Sequence, residues 1–527
     1  MTPGKTLGKT LRMTKKITKG LSRRQFLEES LLSAAAAAAA SAAAGCATRG
    51  PMGGGTSVAP SDRLRVAIVG VNGRGMSHVR AFAKRDDTEI VAICDVDEDV
   101  FGRAERAVRG SQPQAPRFVQ DLRRVLDDPS IDAVSMATPN HWHALGAAWA
   151  VEAGKDVYLE KPVSHNGHEG RALVTLARQH GRIVQTGSQS RSNPGMRQFI
   201  DYIRSGKLGT VKLARGLCYK RRKSIGQVGT PQRPPKHVNY DLWLGPAPLR
   251  PDVPRERLHY DWHWQWDYGD GDIGNQGVHE MDKARWGLGK QSLPETAICL
   301  GGRFGYTDDG QTPNTQVCFY DYGDAQLIFE VRGLETDRVA GVKVGNIFYG
   351  TQGFAVSSSY SSGSIFDFEG NEVETFSGGG DHFDNFVKAV RSRQHTDLNA
   401  DVEDGHLSAA LCHLGNVSYR LGTPQPRGSL PSALAPTANA EEAFVRFERH
   451  LIDNGVPVAK NTFVLGPQLR VDAAAERLID GGPEAAALWQ PAYRQGFAFS
   501  VPAGQGGDHQ QPSDASHHVG QDETQGG

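Results

Sequence analysis

From residue 63 onward, short apolar runs and amphipathic stretches alternate along the first third of the chain. Leu64-Arg-Val-Ala-Ile-Val69, Glu89-Ile-Val-Ala-Ile-Cys94, Arg117-Phe-Val119, Ile131-Asp-Ala-Val-Ser-Met136, Val157-Tyr-Leu159 and Ile183 to Gly187 are rich in residues that favour strands. Between them the pattern predicts helices over about 76–84, 141–152 and 165–180, with Gly154 as the C-cap of the second. Repeated strand–helix units predict an α/β domain, a doubly wound parallel sheet over residues 63–187. The pattern then changes. Residues 188–425 are strand-rich with long loops and form a second domain, with helices predicted over 381–393 and 404–421 to pack on its sheet. Residues 426–502 predict a helical extension, and the Gly/Gln/His/Asp-rich stretch 503–527 a disordered tail.

The first unit carries chemistry. Gly70-Val-Asn-Gly-Arg-Gly75 is a Gly-rich turn between a strand and a helix, and Asp95 closes the next strand 20 residues after Gly75. Backbone N–H groups at such a helix start hold a pyrophosphate, and the acid takes the ribose hydroxyls. In the register of the G-x-G-x-x-G motif the middle position is Asn72, with Gly73 one residue later. Gly70, Asn72, Gly73, Arg74, Gly75 and Asp95 are therefore the candidate cofactor residues. Asp95 would repel a ribose 2′-phosphate, which favours NAD over NADP.

Asp156-Val-Tyr-Leu-Glu-Lys-Pro162 delivers a lysine to the end of a strand. Pro162 cannot donate to a ladder and stops the strand. In an open parallel sheet, ligands sit at the carboxyl ends of strands. Lys161 there can hydrogen-bond a substrate hydroxyl and take its proton, once burial lowers its pKa. In the second domain, Tyr219-Lys-Arg-Arg-Lys223 is a basic run suited to an anion or to sugar hydroxyls. Tyr260-Asp-Trp-His-Trp-Gln-Trp-Asp-Tyr268 interleaves indoles, which stack on sugar C–H faces, with groups that bond hydroxyls. Asn275, His279 and Asp282 fall on one helical face at i, i+4 and i+7. His259, His263, Asp267 and His279 are metal-ligand types, but their spacing matches no metal motif, and no metal is expected.

On Gly70–Gly75, Asp95, Thr138-Pro-Asn140 with His143, and Glu160-Lys161-Pro162, the chain resembles the glucose–fructose oxidoreductase and inositol dehydrogenase family (Gfo/Idh/MocA) over about residues 63–425. The resemblance implies an N-terminal Rossmann domain and a C-terminal α+β domain whose open, mostly antiparallel sheet covers the nicotinamide. It implies hydride transfer at a sugar or cyclitol carbon, with Lys161 as the catalytic lysine and Glu160 positioning the nicotinamide. Thr138, Pro139, Asn140 and His143 would line the cofactor. The family places Asp and His where this chain has Asn275 and His279, so the carboxylate partner of the histidine is absent. Lys161 and His279 are the expected acid/base pair. Gln189, Arg191, Tyr219, Lys220, Trp262, His263, Trp266, Asn275 and Asp282 are the candidate substrate contacts.

Composition adds little to this and the N-terminus adds a good deal. The 527 residues suffice for two or three domains, and a formal net charge of zero gives no sign of a nucleic-acid partner. Residues 5–24 hold eight Lys/Arg and no acid. Ser22-Arg-Arg-Gln-Phe-Leu27 and the weakly apolar run to Ala44 resemble a twin-arginine signal, so residues 1–46 are expected to direct export of a folded protein by that machinery. Ala43-Ala-Gly-Cys46 resembles a lipoprotein box; lipidation of Cys46 and simple cleavage nearby both fit, and a lipid there is the one membrane link expected. Residues 47–62 read as a flexible tether. The six cysteines are far apart and form no C-x-x-C pair, which indicates neither a zinc site nor a disulfide framework.

The expectation is an exported, periplasmic oxidoreductase with tightly held NAD, acting on a sugar or polyol as a homo-oligomer. Two other readings stand: a redox-neutral, NAD-dependent enzyme that cleaves glycosides, and a non-catalytic sugar-binding protein with a vestigial cofactor fold.

Overall fold

A computed structural model describes residues 62–230, 232–434, 439–457 and 462–499. The export signal, Cys46, nearly all of the tether and the 503–527 tail lie outside the described residues. Strands β1 (Leu64–Val69), β2 (Thr88–Cys94), β3 (Arg117–Val119), β4 (Ala133–Met136), β5 (Asp156–Leu159) and β6 (Val184–Thr186) form one sheet in the order β3-β2-β1-β4-β5-β6. Every pairing in it is parallel. Alternate residues of β1 enter opposite layers: Ala67 and Val69 join one apolar cluster, Val66 and Ile68 the other. That is the period-two pattern of a strand buried on both faces. Helices α1 (Gly75–Ala83), α2 (Phe101–Val108), α3 (Asn140–Glu152) and α4 (Gly167–Gln179) cover the faces. The strand order reverses between β1 and β4, which opens a crevice at their carboxyl ends.

After α5 (Pro194–Arg204), a second sheet is built on β7 (Leu213–Cys218), β8 (Thr296–Gly302), β9 (Thr315–Asp321), β10 (Gln326–Arg332), β11 (Val344–Tyr349), β12 (Phe354–Ser357), β13 (Ser362–Phe366) and β14 (Glu372–Ser377). Its order from one edge is β14-β13-β12-β11-β7-β10-β9-β8. Only β7 and β10 run parallel; the rest is antiparallel. Two short helices, α6 (Gly271–Asn275) and α7 (Gly277–Gly287), lie against it. The helices predicted over 381–393 and 404–421 are present as α8 (His382–Ser392) and α9 (Val402–Arg420). Asp381 caps α8 through the N–H groups of Phe383 and Asp384, and Asp401 caps α9 through that of Glu403.

The packing of α8 differs from expectation, while α9 does pack on the second sheet. Phe386, Val387 and Val390 of α8 pack with Ile68, Phe82 and Tyr158 of the first domain. Helix α9 is buried all round from Gly405 to Ser418, as a helix must be when it lies between two layers. Its Ala409 belongs to the first domain's cluster, while Leu407, Leu411 and Leu414 belong to the second sheet's.

The expectation of a helical extension over 426–502 needs correction in part. It does contain α10 (Ala440–Asp453) and α11 (Gly482–Trp489), but Thr462–Leu465 is a strand, β16, that adds to the second sheet between β8 and β15 (Thr423–Pro426). A short β-favouring run beside an unpaired edge gains ladder bonds there. Pro424 and Pro426 confine β15 to the outermost position. Phe444, Phe447 and Leu451 of α10 pack on Ile298, Leu300, Phe319 and Ile328, so α10 covers the face of the sheet turned away from α9. No described helix is long and apolar enough to cross a membrane.

Candidate active site

A cavity of about 490 Å³ opens at the strand reversal, with the first domain's strand ends as its floor and residues 220–279 and Tyr360 as its walls. That size is typical of a small-molecule site. The floor starts at the Gly-rich turn. Gly70 has φ +79°, and a Cβ there would stand 2.8 Å from the Ala137 carbonyl; a Cβ on Gly75 would meet the Gly70 carbonyl at 1.8 Å. Gly73 faces open space, which leaves room for a phosphate against the backbone. Asp95 Oδ2 accepts from the Val71 N–H at 2.7 Å and Oδ1 from the Asp97 N–H at 3.0 Å. Burial raises its pKa, opposed by those two bonds.

Asn140 opens α3, and both Asn140 Oδ1 and Thr138 Oγ1 are buried in the cavity wall without a partner. Unsatisfied buried polar atoms beside an open Gly turn are what a bound dinucleotide would complete, so the residues present fit that group. The His143 ring bridges two loops, 2.6 Å from the Pro162 carbonyl and 2.8 Å from that of Thr138.

Glu160 is the polar centre of the floor. Its Oε1 accepts from Arg74 Nε at 2.8 Å and from Gln189 Nε2 at 3.2 Å, and lies 3.2 Å from His78 Nε2. Burial alone would raise its pKa, but His78 and Arg74 hold it well below the usual carboxylate range. Lys161, next along, is half-buried. Its Nζ donates to the backbone carbonyl of Asn275 at 2.6 Å. Desolvation lowers its pKa, with Glu160 acting the other way. His279 is buried on α7 with its ring centroid 4.9 Å from that of Tyr360. Burial first, and then the Lys161 charge, push its pKa well below that of a free imidazole, so the ring is neutral. The aromatic wall is Tyr260, Trp262 and His263, the last two stacked at 3.7 Å. Burial lowers the His263 pKa to about 3.

Most of the residues singled out in the sequence meet in this cavity: Gly70, Asn72, Gly73, Arg74, Asp95, Thr138, Pro139, Asn140, His143, Glu160, Lys161, Gln189, Lys220, Trp262, His263, Asn275 and His279. Gly75 stands just behind them. Four do not reach it. Arg191 binds Asp282 through Nε and a terminal nitrogen at 2.9–3.0 Å and pairs with Asp404 at 3.0 Å, so Arg191 and Asp282 form a buried ion-pair cluster joining the 189–192 turn to α7 and α9. Tyr219 turns to the far face of the second sheet, its hydroxyl donating to Glu330 at 2.7 Å under α10. Trp266 stacks against Arg420, 5.0 Å from its guanidinium.

The i, i+4, i+7 face also fails, because the chain breaks at Gln276 into α6 and α7. The four metal-ligand types do not converge: His259 bonds Asp97 at 2.8 Å, and Asp267 pairs with Arg250. Among the described residues the one group with metal-binding spacing is Asp97, Asp99 and His237. Sequence reasoning missed His78, Gln276 and Tyr360. His78 was detectable as a polar residue on the buried face of α1; Tyr360 comes from a loop more than 80 residues from His279 and had no signal.

The fold and this floor define a dinucleotide-binding oxidoreductase of two domains. Residues 64–188 match the family described as "Oxidoreductase family, NAD-binding Rossmann fold", and residues 203–430 match "Oxidoreductase family, C-terminal alpha/beta domain". The chain belongs to the Gfo/Idh/MocA oxidoreductase family. It is 32% identical over 152 residues to a glycosyl hydrolase family 109 protein of Shewanella putrefaciens, 28% of this chain and 31% of that one. It is 29% identical over 171 residues to the inositol 2-dehydrogenase of Salmonella typhimurium, 32% of this chain and 49% of that one. The match thus spans about a third to a half of these relatives' lengths. Among solved structures, the WlbA dehydrogenase of Bordetella pertussis in complex with NADH and UDP-GlcNAcA is similar in fold, with a TM-score of 0.50 and 20% identity over 68% of this chain and 97% of that one.

Proposed function

We propose that this protein oxidises or reduces a hydroxyl-bearing carbon of a sugar or polyol, with Lys161 and His279 moving the proton. The observation that carries this is Lys161 itself, fixed at the carboxyl end of β5 by the Asn275 carbonyl and facing a cavity whose floor fits a dinucleotide. A bound nicotinamide would supply the hydride acceptor or donor. The protein's own part is positional and acid–base. Glu160, locked by Arg74 and His78, fixes the wall beside the ring site. Lys161, its proton loosened by burial, holds the substrate hydroxyl oxygen and takes or returns its proton. His279 enters neutral on the facing wall, a weak base that can pass a proton on without keeping it. Tyr260 and Trp262 offer faces for the sugar ring.

NAD is the preferred cofactor, because Asp95 would oppose a 2′-phosphate. Slow exchange of that cofactor is supported by a strap across the ribose end, where Asp97 of the first domain bonds His237 at 2.7 Å and His259 at 2.8 Å. Export through the twin-arginine route fits the same reading: a cofactor loaded before export and retained through a closed redox cycle needs no external supply. Arg23-Arg24→Lys-Lys, followed by cell fractionation, tests export; protein still outside the cytoplasm would remove it.

The resemblance to a glycosyl hydrolase family 109 protein favours a second reading, in which a glycoside is oxidised, cleaved and reduced again with no net redox change. One experiment separates the two. Purified protein without added cofactor is given a panel of sugars, polyols and glycosides while absorbance at 340 nm and products are followed. Net NADH with an oxidised sugar supports the dehydrogenase. A freed sugar without net NADH supports cleavage. Unchanged sugars throughout would defeat both.

A further inference from the structure

We propose that the sugar taken by this site carries a negative charge, and that Lys220 selects it. The proposal deepens the reading of the cavity as a sugar site. The basic run 219–223 leaves the end of β7, and its members divide in the fold. Tyr219 is committed to Glu330 on the far face. Arg221 lies outside, 3.4 Å from Glu335. Arg222 reaches the cavity already neutralised by Asp272, to which it donates from Nε and a terminal nitrogen. Lys220 lines the cavity, and its ammonium donates to a neutral group, Gln276 Oε1 at 3.4 Å. Among the described residues no carboxylate lies within 4 Å of it.

The rest of that wall does not supply one either. Lys161, across the cavity on the first domain's floor, meets a backbone carbonyl and lies beside Glu160. The carboxylates lining the cavity are Asp95, Asp121 and Glu160, all on the first domain's side, and Glu160 is held by Arg74 and His78. Glu280 sits behind Gln276, 3.8 Å from Lys283, and does not line the cavity. The substrate end therefore presents the Lys220 ammonium, held by a neutral amide, and no unengaged acid. A polyol needs acceptors and donors in mixture; a wall biased this way favours an anion. The compact ammonium of a lysine suits a single carboxylate or sulfate on a ring.

The test uses the purified, cofactor-containing protein and calorimetric titration. The probes are methyl uronides of the gluco, galacto and manno series, each paired with its neutral methyl glycoside, plus glucose 6-sulfate. At least one charged probe should bind about tenfold or more tighter than its neutral partner, as expected for a hydrogen bond between charged groups. The preference should shrink with added salt and vanish in Lys220→Gln, with Lys220→Arg retaining part of it. Tighter uronide binding identifies a carboxylate as the recognised group, and tighter 6-sulfate binding a sulfate. Equal affinity within every pair, or a Lys220→Gln loss that is the same for charged and neutral members, overturns the proposal. Binding is read without turnover. Charge preference with no reaction would therefore remove the oxidoreductase reading alone, and turnover of neutral sugars with no preference would remove this one alone.

Discussion

Lys161 is held by Asn275, but through the backbone: Nζ donates to the Asn275 carbonyl at 2.6 Å. The α6 carbonyl that receives it is at the last residue of the helix, where carbonyls are left over by the helical pattern. Any side chain at 275 would leave this bond available. The lysine is therefore oriented by a carbonyl, and Glu160 acts on it only through its charge.

Replacement of Lys161 by Met should lower turnover by about 10²–10⁴-fold, the usual loss for an acid/base group. Cofactor binding should stay nearly intact, because the cradle of Gly70, Gly73 and Asp95 is separate. Steady-state kinetics with a parallel cofactor titration decides it; kcat within a few-fold of the parent would remove Lys161 from the chemistry.

Asp95→Ala should weaken NAD and narrow its advantage over NADP. The ribose acceptor and the charge opposing a 2′-phosphate are lost together. Fluorescence titration of both cofactors is the measurement. The exchange also frees the Val71 and Asp97 N–H groups, so thermal stability should fall as well.

Glu280 gives a pH signature. Burial raises its pKa from 4.5 to about 7. A raised folded-state pKa means that its contribution to stability is full below about 4.5 and is lost as pH rises through about 7. The difference in Tm between Glu280→Gln and the parent should therefore move in favour of the variant from pH 4.5 to pH 7.5. A constant difference across that window would show that Glu280 does not titrate there.

Asp282→Asn should act on stability alone. Removing one partner of a buried, bidentate pair leaves Arg191 underpaired and costs about 3 kcal/mol or more. Tm should drop while KM for any substrate found stays within about twofold. A selective rise in KM would return Arg191 and Asp282 to the substrate site.

The first domain was legible because its determinants are local. Strand runs, the Gly turn and the acid at the end of β2 lie within about 30 residues, and their spacing carries the βαβ unit with its ligand end. The Lys161 position was readable for the same reason, from a strand stopped by Pro162. In the second domain the same kind of reasoning misplaced Arg191, Tyr219, Trp266 and Asp282, since a polar or aromatic residue near a site in sequence can turn to either face of its element.

The sequence by itself determined the parallel sheet, the dinucleotide cradle and the lysine at its edge, because each depends on the chain's period and on contacts between near neighbours. Only the tertiary structure decided that Asn275 acts through its carbonyl, that α10 and β16 complete the second sheet, and that Lys220 faces the cavity while its neighbours do not. Those outcomes rest on pairings between residues some 50 to 230 positions apart, such as Tyr219 with Glu330 and Arg446. Burial and charge compensation select among such pairings only once the whole chain has closed on itself.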